Sequence, residues 1–465
     1  MTSSNGAGQD DSGETRLKML APLRLRDFRW LWIGMTVSLL GDGIYFVAIA
    51  WQVYELSNAP TALAMVGLAM SIPHVLFLLL GGVVSDRFDR RRVMISADVI
   101  RGIAIGAMGF LSVTGALELW HLLVLAAFYG VGTAFFGPAF DAIVPDVVPA
   151  DQLAQANSID QFVRPAAWRL AGPAIGGAMI AAFGDHAGPA FLVDALTFAV
   201  SILSVMMMHP KPLEEGEEET HSSALHEVRE GFRYVRSHVW LWGTFLAATI
   251  AYLLFMGPSE VLLPFVVKNT LHGSASDLGL VFAMGGVGAI GAAVVVGHRG
   301  IPRRHMTFMY VVWTFSTLAV AGYGLARLTW QAMAACFVFN ALETAGTIVW
   351  ATTKHRLVPS RLLGRVSSFD WFISIGLLPL SYALTGPASK AFGPEATLVG
   401  AGVIGAVSTL AFLFLPGMRD VEKQGLVFKA AAEDPDLVAE AAEEALGGTQ
   451  GGPEVGLIGA PSTLR

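Results

Sequence analysis

Seven stretches of this 465-residue chain run for more than 18 residues without an Asp, Glu, Lys or Arg: 61–85, 119–140, 237–259, 278–298, 305–326, 371–389 and 396–418. Each is long enough to cross a ~30 Å hydrocarbon layer as a helix. Five more apolar stretches reach that length only with charges embedded in them: 30–54 with Asp42, 93–117 with Asp98 and Arg101, 158–184 with Asp160, Arg164 and Arg169, 189–210 with Asp194, and 328–353 with Glu343. Seven and five make twelve. Twelve helices of ~20 residues need ~240 apolar positions, and a hydrophobic fraction of 54% supplies about 251. Charged residues are 14% of the chain, against ~25% in soluble domains. A soluble fold is excluded, and an all-α integral membrane protein is predicted.

Lys and Arg set the orientation, because they collect on the cytoplasmic side. With the N-terminus inside, twenty-two of them fall in inner segments and only Lys268, Arg327 and Lys390 in outer ones. Both termini are therefore predicted to be cytoplasmic, in the plasma (inner) membrane. The predicted organisation is a cytoplasmic N-terminal segment over 1–29, a six-helix bundle over 30–210 and a cytoplasmic central loop over 211–238. A second six-helix bundle over 239–417 and an acidic cytoplasmic tail over 418–465 complete it. In the central loop Leu225, Val228, Phe232 and Val235 share one helical face, which predicts an amphipathic helix lying on the inner membrane surface. The tail, acidic and Gly/Pro-containing, reads as disordered.

The halves repeat. Val148, Pro149 and Leu153 recur 210 residues later as Val358, Pro359 and Leu363, and Ser158, Asp160 and Phe162 as Ser368, Asp370 and Phe372. Gly172-Pro173-Ala174 returns as Gly386-Pro387-Ala388, and Arg87, Arg91 and Arg92 match Arg299, Arg303 and Arg304. Two parallel six-helix repeats form a secondary-transporter architecture, with the substrate site near the midplane between them.

At these residues the chain resembles the major facilitator superfamily. Gly82-Val83-Val84-Ser85-Asp86-Arg87-Phe88-Asp89-Arg90-Arg91-Arg92 is similar to that family's signature between helices two and three, with Asp89 where glycine is usual. Gly172-Pro173-Ala174-Ile175-Gly176-Gly177 resembles the helix-five motif of its antiporters, with Trp168 in place of an earlier glycine. The helix-four arginine of many drug–proton antiporters is missing, since Tyr129–Pro138 carries no charge. Phe136-Gly137-Pro138-Ala139, Gln155-Ala156-Asn157-Ser158 and Leu363-Gly364-Arg365-Val366-Ser367-Ser368 resemble the drug:proton antiporter-3 branch, which includes macrolide and tetracycline/aminoglycoside efflux pumps and the enterobactin exporter. The resemblance implies a proton-coupled exporter of amphipathic small molecules working as a monomer in the lipid bilayer.

Intramembrane charges are costly and usually functional. Asp42 lies near the centre of its span and shares a polar face with Ser38, Tyr45 and Gln52. It is a candidate for proton coupling or substrate binding, or else a packing residue held by hydrogen bonds. Arg169 is about as deep and needs an acidic partner, with Asp42 and Glu343 the candidates, or else a cavity. Asp160 and Arg164, at i and i+4, can pair locally. Asn340 and Glu343 form a polar cavity face, and Asp370 a similar one with Trp371 beside it, or else a solvated helix-end charge. Glu260 reads as an outer gate residue and Asp194 as a structural partner. Asp86, Arg87, Arg90 and Arg91, with Asp98 and Arg101, are predicted to latch the cytoplasmic face. Gly172, Pro173, Gly176 and Gly177 suit a bending or sealing point.

The single Cys336 and the absence of clustered His, Asp and Glu at ligand spacing leave no metal or cofactor site, and no phosphate loop or nucleophile elbow suggests an enzyme. No nucleic-acid partner is implied. The competing readings are a dedicated exporter of one metabolite, such as a siderophore, and a non-transporting membrane sensor or scaffold.

Overall fold

The computed structural model describes residues 21–149, 152–209 and 224–422. The polar segment before Ala21, the acidic run 214–219 and the tail beyond Glu422 lie outside the described residues, together with the readings made of them. In chain order the helices are α1 (Arg26–Leu56), α2 (Pro60–Arg87), α3 (Arg90–Val113), α4 (Leu119–Val147), α5 (Leu153–Arg164), α6 (Gly172–Ala182) and α7 (Gly188–Met206). They continue as α8 (Ala224–Ser237), α9 (Val239–Phe265), α10 (Ala275–Arg299), α11 (His305–Leu325), α12 (Thr329–Leu357), α13 (Ser360–Gly376), α14 (Leu378–Phe392) and α15 (Pro394–Leu413). Ten helices among the described residues are long and apolar enough to cross a membrane. The fifth and eleventh crossings, α5–α6 and α13–α14, are each assembled from two shorter pieces, which completes twelve.

The two breaks occupy equivalent places in the repeat and share a cause. Proline lacks an N–H, and its ring displaces the carbonyl four residues back. Pro165 opens a π-helical turn, Pro165–Ala171, in which the Gly172 N–H reaches the Ala167 carbonyl five residues back. The fifth crossing predicted over 158–184 is helical through to Ala182, with this π turn in its middle. Pro379 follows the break at Leu377 in the same way.

Within the first half α1 packs on α7, α7 on α3, α3 on α4 and α4 on α2; in the second, α9 packs on α15, α15 on α11, α11 on α12 and α12 on α10. The correspondence is helix for helix. The halves meet along α6–α10 and α2–α14. Away from the arginine-rich loops one continuous apolar core crosses both halves, from Tyr45 and Ile105 through Val261, Leu278 and Tyr382. At the arginine-rich end the core divides into separate clusters, a small one around Phe28, Val148 and Ile159 among them. Leu31, Met94 and Phe140 belong to one cluster, and Leu241, Tyr310 and Trp350 to another.

The central helix α8 rests on protein as well as facing outward. Val235 is buried, Phe232 meets Phe369 at 6.3 Å, the Tyr234 hydroxyl donates to the Leu357 carbonyl at 3.3 Å, and Glu230 pairs with Arg365 of α13. A helix predicted to lie on the membrane surface is thus strapped to the second half.

Candidate functional site

Asp42 sits where four helices of the first half converge. The Tyr129 hydroxyl of α4 donates to Asp42 Oδ1 at 2.6 Å, and Arg101 Nη1 of α3 lies 3.8 Å from Asp42 Oδ2. Arg101 also pairs with Asp98, one turn before it on α3, and Ser201 Oγ of α7 donates to Asp98 Oδ2 at 2.7 Å. The guanidinium is held between the rings of Phe136 (4.3 Å) and Phe198 (4.6 Å). Gly132 of α4 makes this possible, because a Cβ there would lie 2.6 Å from Arg101 Cγ. Tyr45 stacks on Tyr129 at 4.8 Å. Asp194 of α7 lies against α1 at Gly41, held by Thr197 Oγ1 at 3.1 Å, while its Oδ2 is buried without a partner.

Two carboxyl groups therefore share one guanidinium in the core, and a third, that of Asp194, is buried nearby against α1. Their exposure separates them: the side chain of Asp42 is 14% accessible and that of Asp98 0%, so Asp42 is the member that water can reach.

This arrangement corrects one expectation. Asp98 and Arg101 do pair with each other, but they join Asp42 in the core and take no part in a latch at the loops. Arg90 instead pairs with Asp146 at 2.6 Å and donates to the Ala142 carbonyl at 3.0 Å, while Arg91 donates to the Val205 carbonyl at 2.9 Å. These ties bind α3 to α4 and α7 inside one half. Arg87 is exposed, and the Asp86 side chain is not among the described ones. Asp89, where the motif usually has glycine, caps α3 by accepting from the Arg91 N–H at 2.9 Å.

The second polar group lies between the halves. Arg169, on the π turn, donates to Asn340 Oδ1 of α12 at 2.7 Å. Neither Asp42 nor Glu343 pairs with it, which corrects both predicted partners: the π turn rotates side chains off a regular helical register. Asn340 Nδ2 in turn donates to the Cys336 carbonyl at 3.0 Å. Glu343 accepts from Thr347 Oγ1 at 2.9 Å. Glu260 accepts from the Tyr382 hydroxyl, at the place where α14 meets α2: a Cβ on Gly67 would lie 2.8 Å from the Tyr382 ring. Asp370 is no solvated end charge, since Lys354 pairs with it and Trp350 Nε1 donates to it at 3.0 Å. Asp160 and Arg164 pair at 3.3 Å. The Trp371 side chain is not among the described ones.

The third element is a seal between the halves, on the side away from the arginine-rich loops. Gly172 and Gly176 lie on α1, where a Cβ would come within 2.7 Å of Gly43 Cα and 3.0 Å of Ile44 Cα. Gly177 faces the other half, 2.5 Å from the Ala275 carbonyl by the same measure, and a Cβ on Gly279 would meet the Pro173 carbonyl at 2.4 Å. The Tyr54 hydroxyl donates to the Val261 carbonyl at 2.6 Å, Lys268 lies over the Trp51 ring at 4.5 Å, and Phe46 meets Phe282 at 4.8 Å. Asn58 and Asn269 exchange side-chain hydrogen bonds of 2.7 and 2.9 Å. Tyr129, Asp146, Asn58, Asn269 and Tyr382 were not singled out from sequence. Only Asp146, charged beside an apolar span, offered a cue.

Comparison with known proteins agrees with this architecture. The family model described as transmembrane secretion effector matches residues 17–447. The multidrug efflux pump Tap of Mycolicibacterium fortuitum is 27% identical over 82% of the chain and 94% of that protein. The MFS-type transporter YfiS of Bacillus subtilis is 24% identical over 72% of the chain and 79% of its own length. Macrolide efflux protein A of Streptococcus pyogenes is 25% identical over 53% of the chain, which spans only 60% of that relative. Among solved structures, the nucleoside transporter NupG superposes with a TM-score of 0.60 at 11% identity, covering 82% of this chain and 99% of that one. A bacterial homologue of the iron transporter ferroportin, in an inward-facing state, gives 0.59 at 16% identity, covering 84% and 99%. At these identities the likeness is one of fold. The chain is a multi-pass membrane protein of the major facilitator superfamily and belongs to its transmembrane secretion effector family.

Proposed function

We propose that this transporter is a proton-coupled exporter of amphipathic drugs or secondary metabolites, and that Asp42 is the group through which protons enter and leave the coupling cluster. The observation that carries this reading is the surplus of acid around Arg101. Asp42 and Asp98 share the Arg101 guanidinium, Asp194 lies buried beside α1 with one oxygen unpartnered, and a low-dielectric core balances such a surplus by holding protons. When Asp42 is protonated, Arg101 is left to Asp98. When the proton leaves, Asp42 claims Arg101 and Tyr129, tightening α1 against α3 and α4. Proton occupancy thereby becomes a packing change inside the half that must rock, as a local charge switch requires.

The arginine-rich face is the cytoplasmic one in this reading, so the sealed end lies outside and the end where the apolar core divides lies inside. The efflux activity named for two relatives supports the outward direction. The driving force suffices, because one proton crossing 100 mV yields ~2.3 kcal/mol, a roughly 50-fold gradient of a neutral substrate.

Purified protein in weakly buffered nanodiscs should release protons on addition of several antibiotics and dyes, and Asp42→Asn should reduce that release and ΔpH-driven transport in proteoliposomes at least tenfold. Release that survives unchanged in Asp42→Asn overturns the assignment. A single active compound across the panel points instead to a dedicated exporter.

A further inference from the structure

Arg169 is an odd cation for the middle of a membrane protein. A guanidinium carries five N–H donors, and one of its nitrogens donates to Asn340 Oδ1 at 2.7 Å. Among the described residues no carboxylate lies within 4.0 Å of it. The nearby acids are otherwise engaged, Glu260 by the Tyr382 hydroxyl and Glu343 by Thr347. None of the Arg169 nitrogens is a buried orphan and the residue is only half-buried, so its unused donors are at least partly accessible. Its flat face lies over its neighbour Trp168, 5.2 Å from the ring, and Trp168 is itself 37% exposed.

The position is rigidly built. The π turn sets the direction of Trp168 and Arg169, and such turns recur at functional sites. Behind it, a Cβ on Gly286 would lie 2.7 Å from the Arg169 carbonyl carbon, so α10 presses directly on the Arg169 backbone. Asn340 is buried, and its amide is oriented by the Cys336 carbonyl at 3.0 Å, which turns its oxygen toward the guanidinium. A charged side chain fixed by its neighbours, with no carboxylate in contact with it, is a site for a ligand that brings one.

We propose that Arg169 is the docking point for an anionic group, a carboxylate or sulfonate, on an amphipathic aromatic substrate, with the Trp168 ring as the surface on which the aromatic part rests. This rests on the exporter reading above, with the substrate site between the halves as in other two-repeat transporters, and it narrows the substrate class. The planar fork of Arg suits a two-oxygen group. A permanent cation gains nothing from it and is repelled.

The test is a matched pair of fluorescent probes, dansyl-phenylalanine and its methyl ester, which differ by one charge and keep the aromatic body. In nanodiscs the wild type should bind the acid at least tenfold more tightly than the ester. Arg169→Gln should erase that preference while leaving ester affinity within about twofold, which also shows the variant is folded. Arg169→Lys should retain part of it. Equal binding of acid and ester by the wild type, a preference that survives in Arg169→Gln, or no saturable binding of either probe overturns the proposal. Proton release provoked by permanent cations, with no acid preference, would sink this inference and leave the exporter reading standing.

Discussion

The two halves pack helix for helix alike, yet equivalent positions in their interiors hold different chemistry. Arg91 and Arg92 recur as Arg303 and Arg304, 212 residues on, and the same shift carries Asp98 onto Tyr310 and Arg101 onto Trp313. In the first half these positions hold an ion pair beside Asp42. In the second, Tyr310 meets Thr244 Oγ1 at 3.0 Å and Trp313 meets Tyr310 at 6.3 Å and Trp350 at 6.5 Å. Duplication supplied one scaffold twice. In the proposed reading the first copy responds to a proton at these positions, where the second holds uncharged aromatic side chains and keeps its own ion pair elsewhere, between Lys354 and Asp370.

Substitution at the equivalent pair tests the contrast most severely. Arg101→Met leaves Asp98 buried without its cation and should cost about 3–5 kcal/mol of stability, with proton release abolished, as read by thermal denaturation and a pH electrode. Trp313→Phe should cost about 1–3 kcal/mol and leave proton release intact. If Trp313→Phe also abolishes release, the division between halves is wrong.

A smaller effect is expected in the pH profile of substrate binding. A complex that forms with loss of one proton strengthens as pH rises, by up to about tenfold per unit, or ~1.4 kcal/mol. Titration calorimetry across the pH range should find that slope in the wild type and in Thr244→Val, which touches only the second half. Asp42→Asn should flatten it. A flat wild-type profile would remove the proton from the first half altogether.

The smallest effect sharpens the contrast by locating where the halves are still alike. Asn58 and Asn269 contribute equally to one exchanged pair of hydrogen bonds. Asn58→Ala and Asn269→Ala should therefore loosen the seal to the same modest extent, about 0.5–1 kcal/mol each. Spin-label distances across the outer end should show matching population shifts, and unequal shifts would mean the two positions are no longer equivalent.

Much of this fold was legible in the sequence because membrane helices announce themselves by length and by what they exclude. The twelve crossings and the repeat follow from charge-free stretches and recurring Gly-Pro and Val-Pro pairs. The site was half legible. Asp42, Arg101 and Asp98 stood out as embedded charges, but their meeting depends on how α1, α3 and α4 converge, which no single helix encodes. Their uncharged partners, Tyr129 and the space over Gly132, resemble ordinary membrane residues. The partner of Arg169 was not legible because its direction is set by a π turn, and helical periodicity reads a regular register. Asn58 and Asn269 were passed over because polar residues at helix ends are unremarkable until their partners are seen.

Those two asparagines stand 211 positions apart, and so do Tyr54 and Phe265, whose rings meet edge-on at 5.5 Å. In a chain of two identical halves each would be one residue touching its own copy, the self-complementary contact of a two-fold dimer. The seal thus preserves the geometry of a homodimer inside a single polypeptide. Six helices made as a separate molecule could have found their twin through this same surface before any linker joined them.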